Sequence, residues 1–502
     1  MKQFAQGSIW RKWDLHIHSP LTILNNLFPK TVDGPDCNRY LETLEALTDV
    51  SVVGITDYFT IDGYKQLRRE MRKGRLTNID LMLPNIEFRL DKFVASKKDG
   101  KKPRRLNLHV IFSDEVPENH IEEKFLHNLE FVSARDVAGS TYRDKLKSAN
   151  IKELGERLIE HFSEEYGDKS PLVVGAENVT VSLDQITDEL RKTYSFRDKY
   201  LIVLEKGYTD LIAWGSSDTN ERQTLMQASH MVFSSNEKDR LWCLGRAPYK
   251  RGVSQFIESF DSLKPCIHGS DAHSLARIGK PCGIRQEHNC EEEPEKCVQR
   301  FCWIKADPTF EGLKQILYEP DKRVFIGKES PAVTKSSYSI SKVNFTETFI
   351  DDELTIAATE LPINDNLVAV IGGKGAGKTA FVDLIANCFV DRVSEQNDNS
   401  FAWRICEKQK PPLRVGLDFT GGEAFEKDVF DASNLLKAVD VAYIEQGQLD
   451  ADVSETYKLN EKIEQLVMHR TSMSEKYEFE ILGQRILEIG QSIQETSRTI
   501  HL

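Results

Sequence analysis

Five apolar residues at 367–371 lead straight into Gly372-Gly373-Lys374-Gly375-Ala376-Gly377-Lys378-Thr379. No other part of the chain limits the local fold as tightly. An octapeptide of this spacing needs a strand before it and a helix after it. Its glycines let backbone N–H groups curl around an anion at the helix N-terminus. The spacing predicts a strand over 367–371 and a helix over 379–390. Lys378 is placed to meet the β- and γ-phosphates of a nucleotide, and Thr379 to hold magnesium. The expected cofactor here is ATP with Mg²⁺.

Further strands are expected at 413–419 and 439–444, the second running into Gln446. The Gly421-Gly422 pair reads as a turn. From 456 to 502 there is no proline, and charge dominates. Leu482, Ile486, Ile489, Ile493 and Ile500 fall at 4-3-4-7 spacing, a heptad seam that predicts the first arm of a coiled coil.

The first 330 or so residues carry different signals. Short β-rich runs at 13–18, 52–57, 81–90, 106–112, 172–174, 230–234 and 266–270 alternate with helical stretches at 39–47, 64–73, 118–129 and 151–166. This alternation predicts an α/β domain on a largely parallel sheet, open or closed as a barrel. His16, His18, Asp57, Glu87 and Asp271 fall at the ends of these runs, where barrel enzymes build their sites.

His16 and His18 are two residues apart on one strand and therefore share a face. Glu87, His109 and the run Gly269-Ser270-Asp271-Ala272-His273 close other apolar segments. One strand-end histidine is usually a satisfied structural residue. Five such groups are hard to assign to packing, because burying them unpaired is costly. Imidazole and carboxylate together suit manganese, zinc or iron, and a carboxylate can bridge two ions.

Net charge is −13, so the surface as a whole does not attract nucleic acid. The densest basic stretch, 97–105, reads first as a solvated loop and second as a strand contact. No apolar run is long enough to span a bilayer, and the N-terminus lacks a signal-peptide core, so a cytoplasmic protein with no membrane partner is expected. The nine cysteines form no secreted framework. Cys282, His288, Cys290, Cys297 and Cys302 cluster, but without a Cys-x-x-Cys pair; loop or buried thiols are expected rather than zinc ligands.

His16-x-His18, Thr56-Asp57, Glu87, His109 and Gly269-Ser270-Asp271-Ala272-His273 together resemble the polymerase-and-histidinol-phosphatase (PHP) family of metal-dependent phosphoesterases. That resemblance implies a distorted (β/α)7 barrel with two divalent metals. His16, His18, Glu87 and Asp271 would hold one. Glu87 would bridge to a second, held by His109 and a later histidine, for which His230 is the candidate and His268 the rival. Asp57, Glu87 and His273 are the expected catalytic groups. Tyr58 stands where the family often has histidine, and 21–27 lacks another. A third metal is therefore absent or held weakly by His273.

The glycine loop resembles that of ABC-type ATPases with coiled coils, such as the structural-maintenance-of-chromosomes (SMC) family. Gln446 would then touch the nucleotide's magnesium. No signature loop or Walker B follows, and in those families both lie beyond the coiled coil. The expected organisation is a PHP domain at 1–302, a connector at 303–337, the N-terminal lobe of a P-loop ATPase at 338–455 and the start of the arm at 456–502. This fusion, with the run Trp303 to Pro320 between its halves, is similar to the TrlF-type ATPases, a group that includes antiphage defence proteins. The resemblance implies an ATP-regulated phosphoesterase, foremost a nuclease, with nucleic acid and a phage-derived trigger as partners and a dimer or higher homo-oligomer. A small-molecule phosphatase and a non-catalytic DNA tether are the alternatives.

Overall fold

The computed structural model describes residues 6–32, 34–94, 104–137, 139–205, 219–246, 252–283, 288–332, 339–352, 354–390, 392–393, 398–405, 407–431, 441, 443–444, 482, 485–486, 489–490 and 493. Two compact units divide the chain, Met1–Val333 and Thr334–Leu502.

The first unit is built from β1 (Trp10–His18), α1 (Cys37–Glu45), β2 (Val50–Tyr58), α2 (Asp62–Arg72), β3 (Leu81–Val94) and β4 (Arg104–Phe112). It continues through α3 (Ser148–His161), α4 (Pro171–Asn178), β5 (Tyr200–Glu205), β6 (Met231–Phe233) and β7 (Cys266–Ile267). It ends with β8 (Phe301–Lys305), α5 (Phe310–Gln315) and β9 (Val324–Gly327). Nine strands follow one path, β7-β6-β5-β4-β3-β2-β1-β8-β9. All strands from β1 to β7 run in one direction except β4, which is antiparallel to β3 and β5. Beyond β7, Ala272 bridges in parallel to Ile17 of β1, and His18 N–H donates to Ala272 O at 3.1 Å. The sheet is thereby a nearly closed barrel.

Two cores lie on opposite faces of this sheet. The inner one takes side chains from all seven ring strands, among them Leu15, Val52, Leu83, Ile111, Val203, Met231 and Ile267, and is plugged by Phe310, Leu313 and Ile316. Thr309 caps that plug helix, its hydroxyl accepting from Gly312 N–H at 2.9 Å. The outer core joins Val53, Ile55, Ile86 and Phe88 to the helices. Strands buried on both faces read as near-continuous apolar runs, which is why these segments stand out in the sequence.

Simple alternation would put Trp13, Leu15 and Ile17 on one face. Trp13 and Leu15 join the inner core, but Ile17 joins the outer one. The β1–β2 register shifts between Asp14 and Ile17, and this irregularity turns His16 and His18 inward.

Segment 172–174, expected as a strand, lies inside helix α4. Ser170 caps that helix and Pro171 occupies its first turn, a start signal that outweighs the β-branched pair. Segment 303–337, expected as a connector, contributes β8 and β9 to the first sheet.

In the second unit β10 (Ile340–Phe345), β11 (Thr359–Pro362), β12 (Arg414–Phe419) and β13 (Ala424–Asp428) form an antiparallel sheet, order β11-β10-β12-β13. The Gly421-Gly422 pair is the β12–β13 turn, with Gly422 N–H donating to Phe419 O. Helix α6 (Lys378–Ala386) follows the glycine loop. Its buried Asp383 accepts from Ser400 Oγ at 2.8 Å and Ala402 N–H at 2.9 Å, and meets Arg392 Nε at 3.2 Å. The expected strand at 367–371 is not formed. Leu367 is 83% and Ile371 89% exposed, and among the described residues no strand pairs with the run. An apolar sequence becomes a strand only where a neighbour takes its N–H and C=O groups. Four of the five seam positions, Leu482, Ile486, Ile489 and Ile493, are helical and exposed; Ile500 lies outside the described residues.

A candidate metal centre at the mouth of the barrel

Register levels the ligand side chains. His18 pairs with Thr56, Tyr58 with Glu87, and Glu87 with His109. Glu87 and His109, expected at strand ends, thus sit inside longer strands but level with the ends of β1 and β2. From the other side comes 268–273. Asp271 N–H donates to His16 O at 2.7 Å, and Asp271 sits at φ +46, a left-handed backbone that costs a non-glycine residue about 1–3 kcal/mol. Gly269 permits this approach, since a Cβ there would meet His16 Cβ at 2.7 Å and Asp14 Oδ1 at 2.8 Å.

His16 Nε2 lies 3.2 Å from His18 Nε2, 3.2 Å from Asp271 Oδ1 and 3.5 Å from Glu87 Oε2. His18 Nε2 lies 3.3 Å from both carboxylates, and His273 Nε2 3.3 Å from Asp271 Oδ1. The His18 and His273 rings stack at 4.0 Å, and His109 meets His16 edge-on at 4.5 Å. Ligands about 2.1 Å from one ion stand roughly 3.0–3.4 Å apart, so these separations match a coordination shell. Two overlapping groups have metal-binding geometry: His16, His18 and Asp271, and His16, Glu87 and His109.

Proton positions support the same fit. Asn85 Nδ2 donates to Leu15 O at 3.0 Å and Thr56 Oγ1 at 2.9 Å, so its Oδ1 faces His109 Nδ1 at 3.2 Å as acceptor. His109 must then carry its proton on Nδ1, which leaves Nε2 a bare donor atom. That Nε2 is buried and has no hydrogen-bond partner among the described residues. Burial holds His16 below the usual imidazole range, holds His109 well below it, and lowers His273 to about 2. Burial pushes Glu87 up, but the ring nitrogens of His16 and His18 beside it, together with His109, outweigh it and hold the carboxyl well below its ordinary value. Asn107 Nδ2 donates to Glu87 Oε1 at 2.7 Å and leaves Oε2 to the histidines. Neutral imidazoles around an ionised carboxylate are the states a divalent cation requires.

Three expected residues are not brought into this shell. Asp57 shares the parity of Val53 and Ile55 and points to the outer layer, where Ser19 Oγ donates to it at 2.7 Å and Gly63 N–H at 2.8 Å. Burial raises it to about 6. His230 precedes β6, at the far end of that strand from Phe233, whose ring packs on His16 and His109. Its Nδ1 accepts Ile202 N–H at 2.9 Å instead. His268, the rival, is buried one residue before Gly269 but belongs to neither metal-binding group.

Tyr58 stacks on His18 at 5.0 Å. Asn85 and Glu205 were not singled out by the sequence patterns. Asn85 lies two residues before Glu87 and so shares its face, a signal that alternation offers. Glu205 ends β5, and its charge acts on His16 and Tyr58.

In the second unit Gly377 caps α6 with φ +82, and Lys378 Nζ donates back to Gly372 O at 2.9 Å and Gly373 O at 2.7 Å. Gly372 to Gly377 are exposed. Gln446 lies outside the described residues. No protein-family model matches the chain, and no curated protein matches it.

Proposed function

We propose that this protein is a metal-dependent phosphoesterase of PHP type, acting on nucleic acid and regulated by ATP at the Gly372–Thr379 loop. One observation carries the reading: His16, His18, Glu87, His109, Asp271 and His273 converge at one end of a nearly closed barrel at separations that suit divalent ions. Divalent ions bound there supply Lewis acidity and neutralise phosphoryl charge during hydrolysis. The chain's residues hold that chemistry in place. Glu87 offers Oε2 to the shell while Asn107 holds its Oε1, Asn85 fixes the His109 tautomer, and Tyr58 covers His18. His273, stacked on His18 and neutral, offers a ring nitrogen at the edge of the cluster. Asp57 takes no catalytic part in this reading; it anchors the start of α2.

The substrate class rests on where the basic stretch is attached. The Val94–Arg104 pair lies beyond Glu87–His109 on the same hairpin, so the basic stretch 97–105 ends in β4 at Arg104 and Arg105; residues 95–103 lie outside the described residues. A basic stretch continuous in sequence with these strands favours a nucleic-acid strand's phosphates. The tie to antiphage defence rests on the TrlF-type resemblance alone.

The test is Mn²⁺-dependent cleavage of single- and double-stranded DNA, RNA and a generic phosphomonoester, with and without ATP. The expected outcome is strand cleavage that His16→Ala/His18→Ala abolishes. Monoester turnover alone would replace the nuclease with a phosphatase. No hydrolysis by metal-loaded protein, with or without ATP, would overturn the enzymatic reading.

A further inference from the structure

A second cluster of soft ligands lies in the loop before β8, apart from the site above. The pairing of 281–283 with 298–300, through Gly283 N–H to Val298 O at 2.8 Å and Arg300 N–H to Pro281 O at 3.1 Å, sets Cys282 beside the strand that Cys297 enters. A one-turn helix, Pro294–Lys296, folds the loop back so that Cys297 meets His288 and Cys290. His288 Nε2 lies 3.3 Å from Cys297 Sγ, 3.6 Å from Cys290 Sγ and 3.9 Å from Cys282 Sγ. A tetrahedral zinc with Zn–S of about 2.3 Å and Zn–N of about 2.0 Å sets sulfur and nitrogen about 3.5 Å apart. All four ligand atoms lie within 4.8 Å of one another.

Nothing else among the described residues of the loop accounts for this convergence. No described residue between His288 and Gln299 is buried, and Val298 is 49% exposed, so no apolar core holds it together. A second observation is independent of the spacing. Arg277 is 4% exposed, and its Nη1 donates to Cys297 Sγ at 3.2 Å. A buried guanidinium against neutral thiols is costly; against thiolates it is compensated. Three thiolates and one imidazole leave a zinc site with one net negative charge, which Arg277 offsets. Irregular spacing hid the site from sequence reading, because the ligands close through strand pairing rather than a Cys-x-x-Cys turn. The fifth candidate, Cys302, is in the inner core and takes no part.

We propose that Cys282, His288, Cys290 and Cys297 bind one structural zinc ion. Binding releases the three thiol protons to solvent and forms three Zn–S bonds and one Zn–N bond, with no change of oxidation state. The ion fastens the loop to Arg277. It also fixes Glu291, whose Oε2 accepts from Ser274 Oγ at 2.6 Å, next to His273. The zinc loop thereby buttresses the segment that carries Asp271 and His273. Softness selects zinc over manganese at this site.

The test uses the full chain with cobalt in place of zinc. No cysteine belongs to the barrel-mouth groups, so among the metal-binding groups of the described residues a thiolate-to-cobalt charge-transfer band reports this cluster. The expected result is one such cobalt per chain, retained in His16→Ala/His18→Ala and lost in Cys290→Ser/Cys297→Ser. In the zinc form, a mercurial thiol reagent should release one equivalent of zinc from the His16→Ala/His18→Ala protein. Should the cysteine variant fail to fold, the cobalt band and zinc release of the intact cluster decide alone. A folded chain with no charge-transfer band, or a disulfide among these cysteines in protein kept under reductant, would overturn the proposal.

Discussion

Asn85 illustrates how one buried amide sets the chemistry of its neighbours. Its NH₂ is spent on Leu15 O and Thr56 Oγ1, so its carbonyl dictates the His109 tautomer. Replacing such a metal-orienting partner typically lowers metal affinity 10–100-fold. Asn85→Ala is expected to weaken Mn²⁺ binding by about that factor, read by calorimetric titration of folded protein; an unchanged affinity would remove Asn85 from the site. Asp57 gives a prediction with a sign. Burial raises its carboxyl from 3.8 to about 6, so the folded state keeps a proton that the unfolded state loses near pH 4. Its contribution to stability is full below about pH 4 and is lost as pH climbs through about 6. A shift of this size corresponds to about 3 kcal/mol. Asp57→Asn keeps the shape and never ionises. Relative to wild type, it should gain stability from pH 5 to pH 8 in urea melts while retaining metal-dependent turnover. Loss of turnover in a folded Asp57→Asn protein would return Asp57 to the catalytic set.

Elements meet at backbone distance where α3 crosses α4. A Cβ on Gly155 would lie 1.7 Å from Pro171 O, and one on Gly175 1.8 Å from Ile151 O. Neither contact is with a side chain that could swing away. Gly155→Ala should therefore destabilise the first unit by about 1–3 kcal/mol or more, seen as a lower urea midpoint; a neutral result would mean that the helices separate freely. The same scale shows what the sequence could and could not disclose. The ring strands were legible because they are apolar on both faces, and most of the metal shell because polar residues interrupt those runs. Three features were not. Ser170-Pro171 starts a helix across a β-branched pair. The register shift in β1 exchanges inner and outer faces, a long-range effect of pairing with β2. His230 reads as a strand end, yet it is the wrong end, and only the direction of β6 against β5 reveals that. Asp57 fails for a related reason: it is at the right end of its strand but on the wrong face.

At the scale of the molecule, the division of labour follows from where the cores are. Every member of the barrel cores lies before residue 334, and the remaining core runs from Val343 to Val429. The proposed metal shell draws on the first unit alone, the proposed nucleotide loop on the second. Residues 1–333 expressed alone should therefore melt cooperatively and bind the same number of metal ions per chain as the whole protein, while losing any response to ATP. Lys378→Ala in the whole chain should reproduce that loss without unloading metal, because its ammonium contacts only the loop carbonyls of Gly372 and Gly373 among the bonds described. Metal content by mass spectrometry and Mn²⁺-dependent turnover with and without ATP separate the two effects. If Lys378→Ala strips metal from the first unit, or if 1–333 cannot fold without the rest, the two sites are parts of one cooperative structure, and regulation by nucleotide must act through folding rather than on a preformed centre.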